Sequence, residues 1–190
     1  ARATPDEMIP ALIHAGYGAV YLTEHDTLWP AEALAELQGR YPDIRVFPGV
    51  ELTMGTSSFA HLLVLGACDP AYLDIRDEWE VVAKARRDGH LSVLAHAFRY
   101  EDAEDTRHLL DTGWRPDAME YRTGNQGGAA SDEAATVARR LGIPLVNAGD
   151  LHALDMVDKF WIDCRGPLTT ADEIRSAILD GAYRNRTREG

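Results

Sequence analysis

Four of the seven histidines fall beside carboxylates at the ends of short apolar runs. His25 and Asp26 follow "AVYLTE", Glu51 follows "FPGV", His61 opens "HLLVLG", His96 follows "LSVLA", Glu120 ends "DAME", and Asp150 and His152 follow "PLVNAG". Imidazole and carboxylate without thiolate suit zinc, iron or manganese, and a carboxylate shared between ions lets more than one bind in the same place. A single histidine at a strand end is ordinarily a hydrogen-bonded core or rim residue; recurrence beside Glu51 and Asp150 is what points to a metal centre. His14 and His108 lie inside helical patterns and His90 follows Gly89 ahead of a strand, so these three read as surface or capping residues. Asp26 reads equally as a cap of the following turn, and Glu120 as a rim carboxylate. Cys68 and Cys164 are the only cysteines, too few for a disulfide framework or a thiolate-rich metal site.

The elements that must position these residues alternate along the chain. "TPDE" at residues 4–7 is a capping box with proline at the first helical position, so a helix should run from there to about Gly16. "GAVYLTEHD" supplies a buried strand, "PAEALAELQGRY" a helix, and "IRVFPGVEL" and "AHLLVLG" two strands. Helix "DEWEVVAKARRDG", strand "LSVLAHA", helix "EDTRHLLDTG", strand "DAMEY", helix "SDEAATVARRLG", strands "IPLVNAGD" and "FWIDC", and helix "TADEIRSAILDG" complete the pattern. Strands this apolar are covered on both faces, which predicts a mostly parallel α/β sheet, open or closed into a barrel. In such architectures the carboxyl ends of the strands converge on one edge, where sites are built. With 190 residues and 45% hydrophobic content, one full-sized core and a single domain over 1–190 are expected.

Six segments taken in order resemble the PHP family, the polymerase and histidinol phosphatase superfamily of metal-dependent phosphoesterases. "AVYLTEHDT" is similar to the family's strand ending in T-D-H-D, "VFPGVELT" to its P-G-x-E segment, and "HLLVLG" to the His-led strand after it. "LSVLAHAFR" is similar to A-H-P-x-R, "DAMEY" to D-A-I-E, and "NAGDLHAL" to the closing G-S-D-A-H. The resemblance implies a distorted (β/α)7 barrel with two or three divalent ions (Mn, Zn or Fe) at its carboxyl-terminal face. It implies ligands at His25, Glu51, His61, His96, Asp150 and His152. Glu51 would bridge two ions, His61 and His96 would complete the second, Asp150 would serve the first, and His25 with His152 would serve the third. Two departures stand out. Ala97 replaces the usual proline, which relaxes the backbone after His96 and removes no ligand. The family's opening strand, ending in H-x-H, has no counterpart before "ARATPDEM", and is expected upstream of Ala1.

The resemblance and the ligand types together imply phosphoester hydrolysis. Bound ions lower the pKa of water to about 7, giving hydroxide without a protein nucleophile; correspondingly, no G-x-S-x-G elbow is present. Arg99 and Arg122 are candidates to bind phosphate through bidentate hydrogen bonds, and His152 or Asp26 to carry a proton to the leaving group. A net charge of -12 without a basic stripe argues against stable nucleic-acid or membrane binding. The expected substrate is a small phosphorylated metabolite or a short oligonucleotide end. A metal-binding module that has lost catalysis, with a structural or regulatory role, is the alternative, and a C–N bond hydrolase on a related barrel is a third reading. Two cysteines, no run of about 18 apolar residues and no signal-like start suggest a cytoplasmic chain. Specificity is expected in the loops at residues 55–60, 98–105 and 121–128, the last read as a simple mobile loop.

Overall fold

The computed structural model describes residues 3–54, 61–99, 103–166 and 168–188. Six strands, β1 (Ala19–Leu22), β2 (Arg45–Thr53), β3 (His61–Leu65), β4 (Leu91–Ala95), β5 (Ala118–Glu120) and β6 (Leu145–Val146), form one sheet in that order. A separate antiparallel ribbon joins β7 (Phe160–Cys164) to β8 (Tyr183–Thr187). Six helices connect them: α1 (Pro5–His14), α2 (Ala31–Arg40), α3 (Glu78–Asp88), α4 (Glu104–Asp111), α5 (Gly128–Leu141) and α6 (Ala171–Leu179).

The sheet is mostly parallel, as expected, with one reversed strand. β1 runs parallel to β2 and β4, β5 and β6 run parallel to one another, but β3 is antiparallel to both β2 and β4. The chain between β2 and β3 is shorter than the dozen or so residues a parallel crossover requires, so β3 must turn back beside β2. This reversal brings the start of β3 to the edge where the parallel strands end: His61 lies opposite Thr53 on one side and Ala95 on the other.

Alternation along the strands separates two cores. Val50, Leu52, Leu62, Val64, Leu94 and Met119 point outward and pack under α3 and α5. The opposite face carries Leu63, Leu65, Leu91, Val93, Ala118 and Val146, which share a cluster with Ala19 and Tyr21 of β1 and Ile174 and Ile178 of α6. Side chains of the first and last strands meet in one cluster only if the sheet curls. The same parity places Glu51, His61 and Glu120 on the inner face at the ends of their strands. α1 starts where its sequence predicts, with the Glu7 carboxylate accepting from the backbone N–H and hydroxyl of Thr4, both at 2.8 Å. Its Met8, Ile9 and Leu12 bury against Leu37, Ile44 and Val46.

β8 has no apolar signature, because Arg184, Asn185 and Arg186 are exposed. It is held by its neighbours: Tyr183 Oη and Asn185 Nδ2 donate to the Leu145 carbonyl at 2.6 and 2.8 Å, and Asn147 Nδ2 donates to the Arg186 carbonyl at 2.8 Å. Inside the curl, between α1, β1, β6 and β7, lies a cavity of about 860 Å³ that opens onto the histidine–carboxylate edge. Among the described residues no helix is long and apolar enough to cross a membrane.

Candidate metal centre

Glu51 is the hub. It is 6% exposed, and its two oxygens are approached from different sides. Oε1 lies 2.8 Å from His61 Nδ1 and 3.3 Å from His96 Nε2, while Oε2 lies 3.6 Å from His25 Nε2. His61 Nδ1 and His96 Nε2 are themselves 3.2 Å apart. Backbone pairing fixes each of these positions. His25 forms a parallel bridge with Glu51, supported by Asp26 N–H to the Glu51 carbonyl at 2.8 Å and Glu51 N–H to the Glu24 carbonyl at 3.1 Å. His61 opens β3, and His96 follows β4 in the left-handed region, φ 28°.

Burial alone would push the Glu51 carboxyl up, but hydrogen bonds with His61 and His96 and the nearby His25 outweigh it and bring the group down to about 2. An ionised carboxylate among three imidazoles is a divalent-metal donor set. The spacing fits as well. Ligand atoms about 2.1 Å from a tetrahedral ion lie roughly 3.4 Å from one another, close to the separations among His61, His96 and Glu51 Oε1. His25, Glu51 and His61 each bring a ligand atom within 4.8 Å of the others. Glu51 Oε2, on the other side, faces His25.

Behind this group sits Glu120, which is buried at 2% exposure rather than placed on the rim. Its Oε2 accepts the His96 backbone N–H at 2.7 Å and so secures that residue's unusual backbone. Desolvation raises its carboxyl to about 8, with Asp150 and Glu51 adding to the rise. His96 Nδ1 is buried without a hydrogen-bond partner among the described residues, so the ring is oriented by what its Nε2 faces.

Asp150 and His152 form a second group. Asp150 adopts φ 45°, and its Oδ2 lies 2.6 Å from Asn125 Nδ2 and 3.9 Å from Arg99 Nη1. His152 Nδ1 lies 3.0 Å from the Asp150 carbonyl and 3.4 Å from its Oδ1. His25, Glu51 and His96 of the first group line the same cavity as Asp150, His152 and Glu120. Asp26 is turned aside: its two oxygens accept from the Thr53 N–H at 3.0 Å and the Thr53 hydroxyl at 2.7 Å. Arg122 is exposed and lies over the Tyr121 ring, 5.1 Å from its centroid.

Asn125 is the functional neighbour that the sequence leaves unmarked. The segment around it is tied down rather than loose: Thr123 Oγ1 accepts the Asn125 N–H at 3.1 Å, and Gln126 Nε2 donates to the Tyr121 carbonyl at 2.9 Å. Gly124 permits this approach, since a Cβ there would stand 2.6 Å from Met156 Cε and 3.2 Å from the Gly149 carbonyl. Of the remaining histidines, His14 and His108 are exposed on helices, and His90 packs against Tyr72, away from the centre. The expected specificity loop at residues 55–60, and residues 100–102 of the next, lie outside the described residues.

No protein-family model and no curated protein matches the chain in sequence. Solved structures do match in shape. One is a two-domain protein from Bacteroides vulgatus ATCC 8482 described as containing a predicted PHP-like metal-dependent phosphoesterase: TM-score 0.70, 14% identity, 95% of this chain and 59% of that one. The chain thus spans less than two thirds of that protein. PsfC from Pseudomonas syringae PB-5123 matches with TM-score 0.66 and 17% identity over 95% of this chain and 81% of its own. An amidohydrolase from Chromobacterium violaceum, with bound sulfate and no metal, matches with TM-score 0.61 and 17% identity over 80% and 83%. At such identities the likeness is one of fold, and the fold of this chain is that of the PHP-like metal-dependent phosphoesterases.

Proposed function

We propose that the chain is a metal-dependent phosphoesterase acting on a small phosphorylated metabolite or a short oligonucleotide end. The observation that carries this reading is the division of Glu51 between His61 and His96 on one oxygen and His25 on the other. The residues that would hold two or three divalent ions (Mn, Zn or Fe) are His25, Glu51, His61, His96, Asp150 and His152. Such ions supply Lewis acidity, lowering the pKa of water to about 7 and neutralising charge on phosphoryl oxygens.

The chain's own groups do the rest. Arg99, 3.9 Å from Asp150, and the exposed Arg122 are the guanidinium groups offered to a phosphate. Of the two proton carriers the sequence offers, Asp26 has both oxygens engaged by Thr53, so the role passes to His152. With Nδ1–H on the Asp150 carbonyl, His152 keeps Nε2 for the leaving oxygen or, where a third ion binds, for that ion. The acidic surface steers the reading towards small substrates that arrive with bound cations.

A metal-binding module without catalysis is the second reading, favoured by the Asn125 amide already seated on the Asp150 carboxylate. Phosphate release from a panel of phosphomonoesters and short oligonucleotides with added manganese separates the two. Turnover is expected. No release with any divalent metal, from this chain and from a version extended upstream, would overturn the enzyme reading, as would cleavage confined to amide substrates.

A further inference from the structure

Two groups of candidate ligands contribute to the lining of one cavity, but only one is fixed by strand pairing. β6 ends at Val146, and Asp150 and His152 lie beyond it, where ladder hydrogen bonds no longer hold the chain. Asp150 sits in the left-handed region at φ 45°, which aspartate reaches more readily than most side chains but still at a cost that its contacts must offset. Two side chains from other parts of the chain meet its carboxylate: Asn125, which donates to Oδ2 at 2.6 Å, and Arg99, 3.9 Å away.

The donor count around this turn closes in one way. The Asp150 carbonyl can only accept, and His152 Nδ1 is 3.0 Å from it, so Nδ1 carries the hydrogen. Asn125 Nδ2 lies 3.3 Å from the same Nδ1, and two N–H groups cannot donate to each other across that gap. The two amide hydrogens therefore go to the Asp150 carbonyl, at 3.1 Å, and to Asp150 Oδ2, at 2.6 Å. Neutral His152 with its hydrogen on Nδ1 has its lone pair on Nε2, the form in which imidazole binds a cation or accepts a proton.

We propose that Asn125 is the positioning residue of this arm: by donating both amide hydrogens to Asp150 it holds the turn that keeps His152 Nδ1–H on the Asp150 carbonyl and leaves Nε2 free for chemistry. The loop around it serves that purpose. Gly124 lets the backbone come down against Gly149, and the hydroxyl of Thr123, 1% exposed, accepts the Asn125 backbone N–H. The inference rests on the reading of Asp150 and His152 as site residues, and not on the reaction being phosphoester hydrolysis.

The test uses the full chain, stripped of metal by chelator and labelled with 15N-histidine, at a pH where the histidines are neutral. Two-bond 1H–15N correlations report the tautomer of His152, assigned by the signal that a His152→Gln chain lacks. In the unaltered chain the hydrogen is expected on Nδ1. In Asn125→Ala, and in Asn125→Leu, which fills nearly the same space without donors or charge, a large share should move to Nε2, while the tautomers of His61 and His96 stay as they were. Manganese titration of the same chains should show binding weakened by about 10-fold or more at one site and unchanged at the site built on Glu51, His61 and His96. A space-filling role would leave Asn125→Leu like the parent. An unchanged His152 tautomer in both variants overturns the inference. Because no substrate is present, a chain that releases no phosphate but shows the tautomer shift loses the reaction and keeps the role of Asn125, and the reverse result loses that role alone.

Discussion

The two halves of the candidate metal centre are built by different means. His25, Glu51 and His61 are placed by backbone pairing of β1 to β4, and His96, one residue past β4, is held by the Glu120 carboxylate. Asp150 and His152 follow a two-residue strand and depend on a side-chain amide, a guanidinium and a tightly apposed glycine. Register is a collective property of many hydrogen bonds, so the first half should tolerate change around it and fail only when a ligand is removed. The second half should respond to neighbours that touch no ion at all.

Removing a ligand from the paired half gives the largest effect. His61→Ala takes away the atom 2.8 Å from Glu51 Oε1, and manganese affinity measured by titration should fall by more than the roughly 10–100-fold typical of groups behind the ligands. A smaller loss there would mean that strand pairing is not what assembles the site. Glu120 tests the boundary between the halves, since both Asp150 and Glu51 raise its carboxyl. Its folded value of about 8 lies above the ordinary 4.5, so the folded chain holds a proton that the unfolded chain releases. Stability of the metal-free chain should therefore decline as pH rises from about 4.5 to about 8. Glu120→Gln should flatten that slope and be the more stable form above it by a few kcal/mol, as denaturant titrations at several pH values would show. Parallel curves for the two chains would contradict the buried placement of Glu120. The smallest effect belongs to Gly124→Ala, which presses on Met156 and the Gly149 carbonyl. It should weaken manganese binding at the Asp150 arm by about 10-fold or less and leave the Glu51 arm untouched; equal losses at both would erase the distinction.

The same contrast explains what the sequence reveals. The placing of His61, His96 and Glu51 at strand ends can be read from the apolar runs, but not their full convergence, since His96 has the opposite parity to Val93 and reaches Glu51 through its left-handed backbone, φ 28°. All six helices are legible from caps and spacing. The antiparallel course of β3 is not, because a run apolar at every position looks alike in either direction; only the short connection before it hints at the reversal. β8 escapes because its exposed arginines and asparagine carry no apolar period, and its place is secured by side-chain bonds to Leu145 and Asn147. Asn125 escapes for a related reason: its role arises from Gly124 meeting Gly149 across a gap of 25 residues, a tertiary contact without a local signature. Asp26 is a carboxylate at the right strand end whose two oxygens accept from Thr53, a partner the sequence does not mark.

The central claim is that Glu51 is shared between ions, and metal content of the chain carrying Glu51→Gln tests it most directly. Reconstitution with manganese or zinc followed by elemental analysis should show at least two ions per unaltered chain, and a loss in the variant that affects both positions because the bridge itself is gone. Unchanged stoichiometry in a folded Glu51→Gln chain would contradict the account.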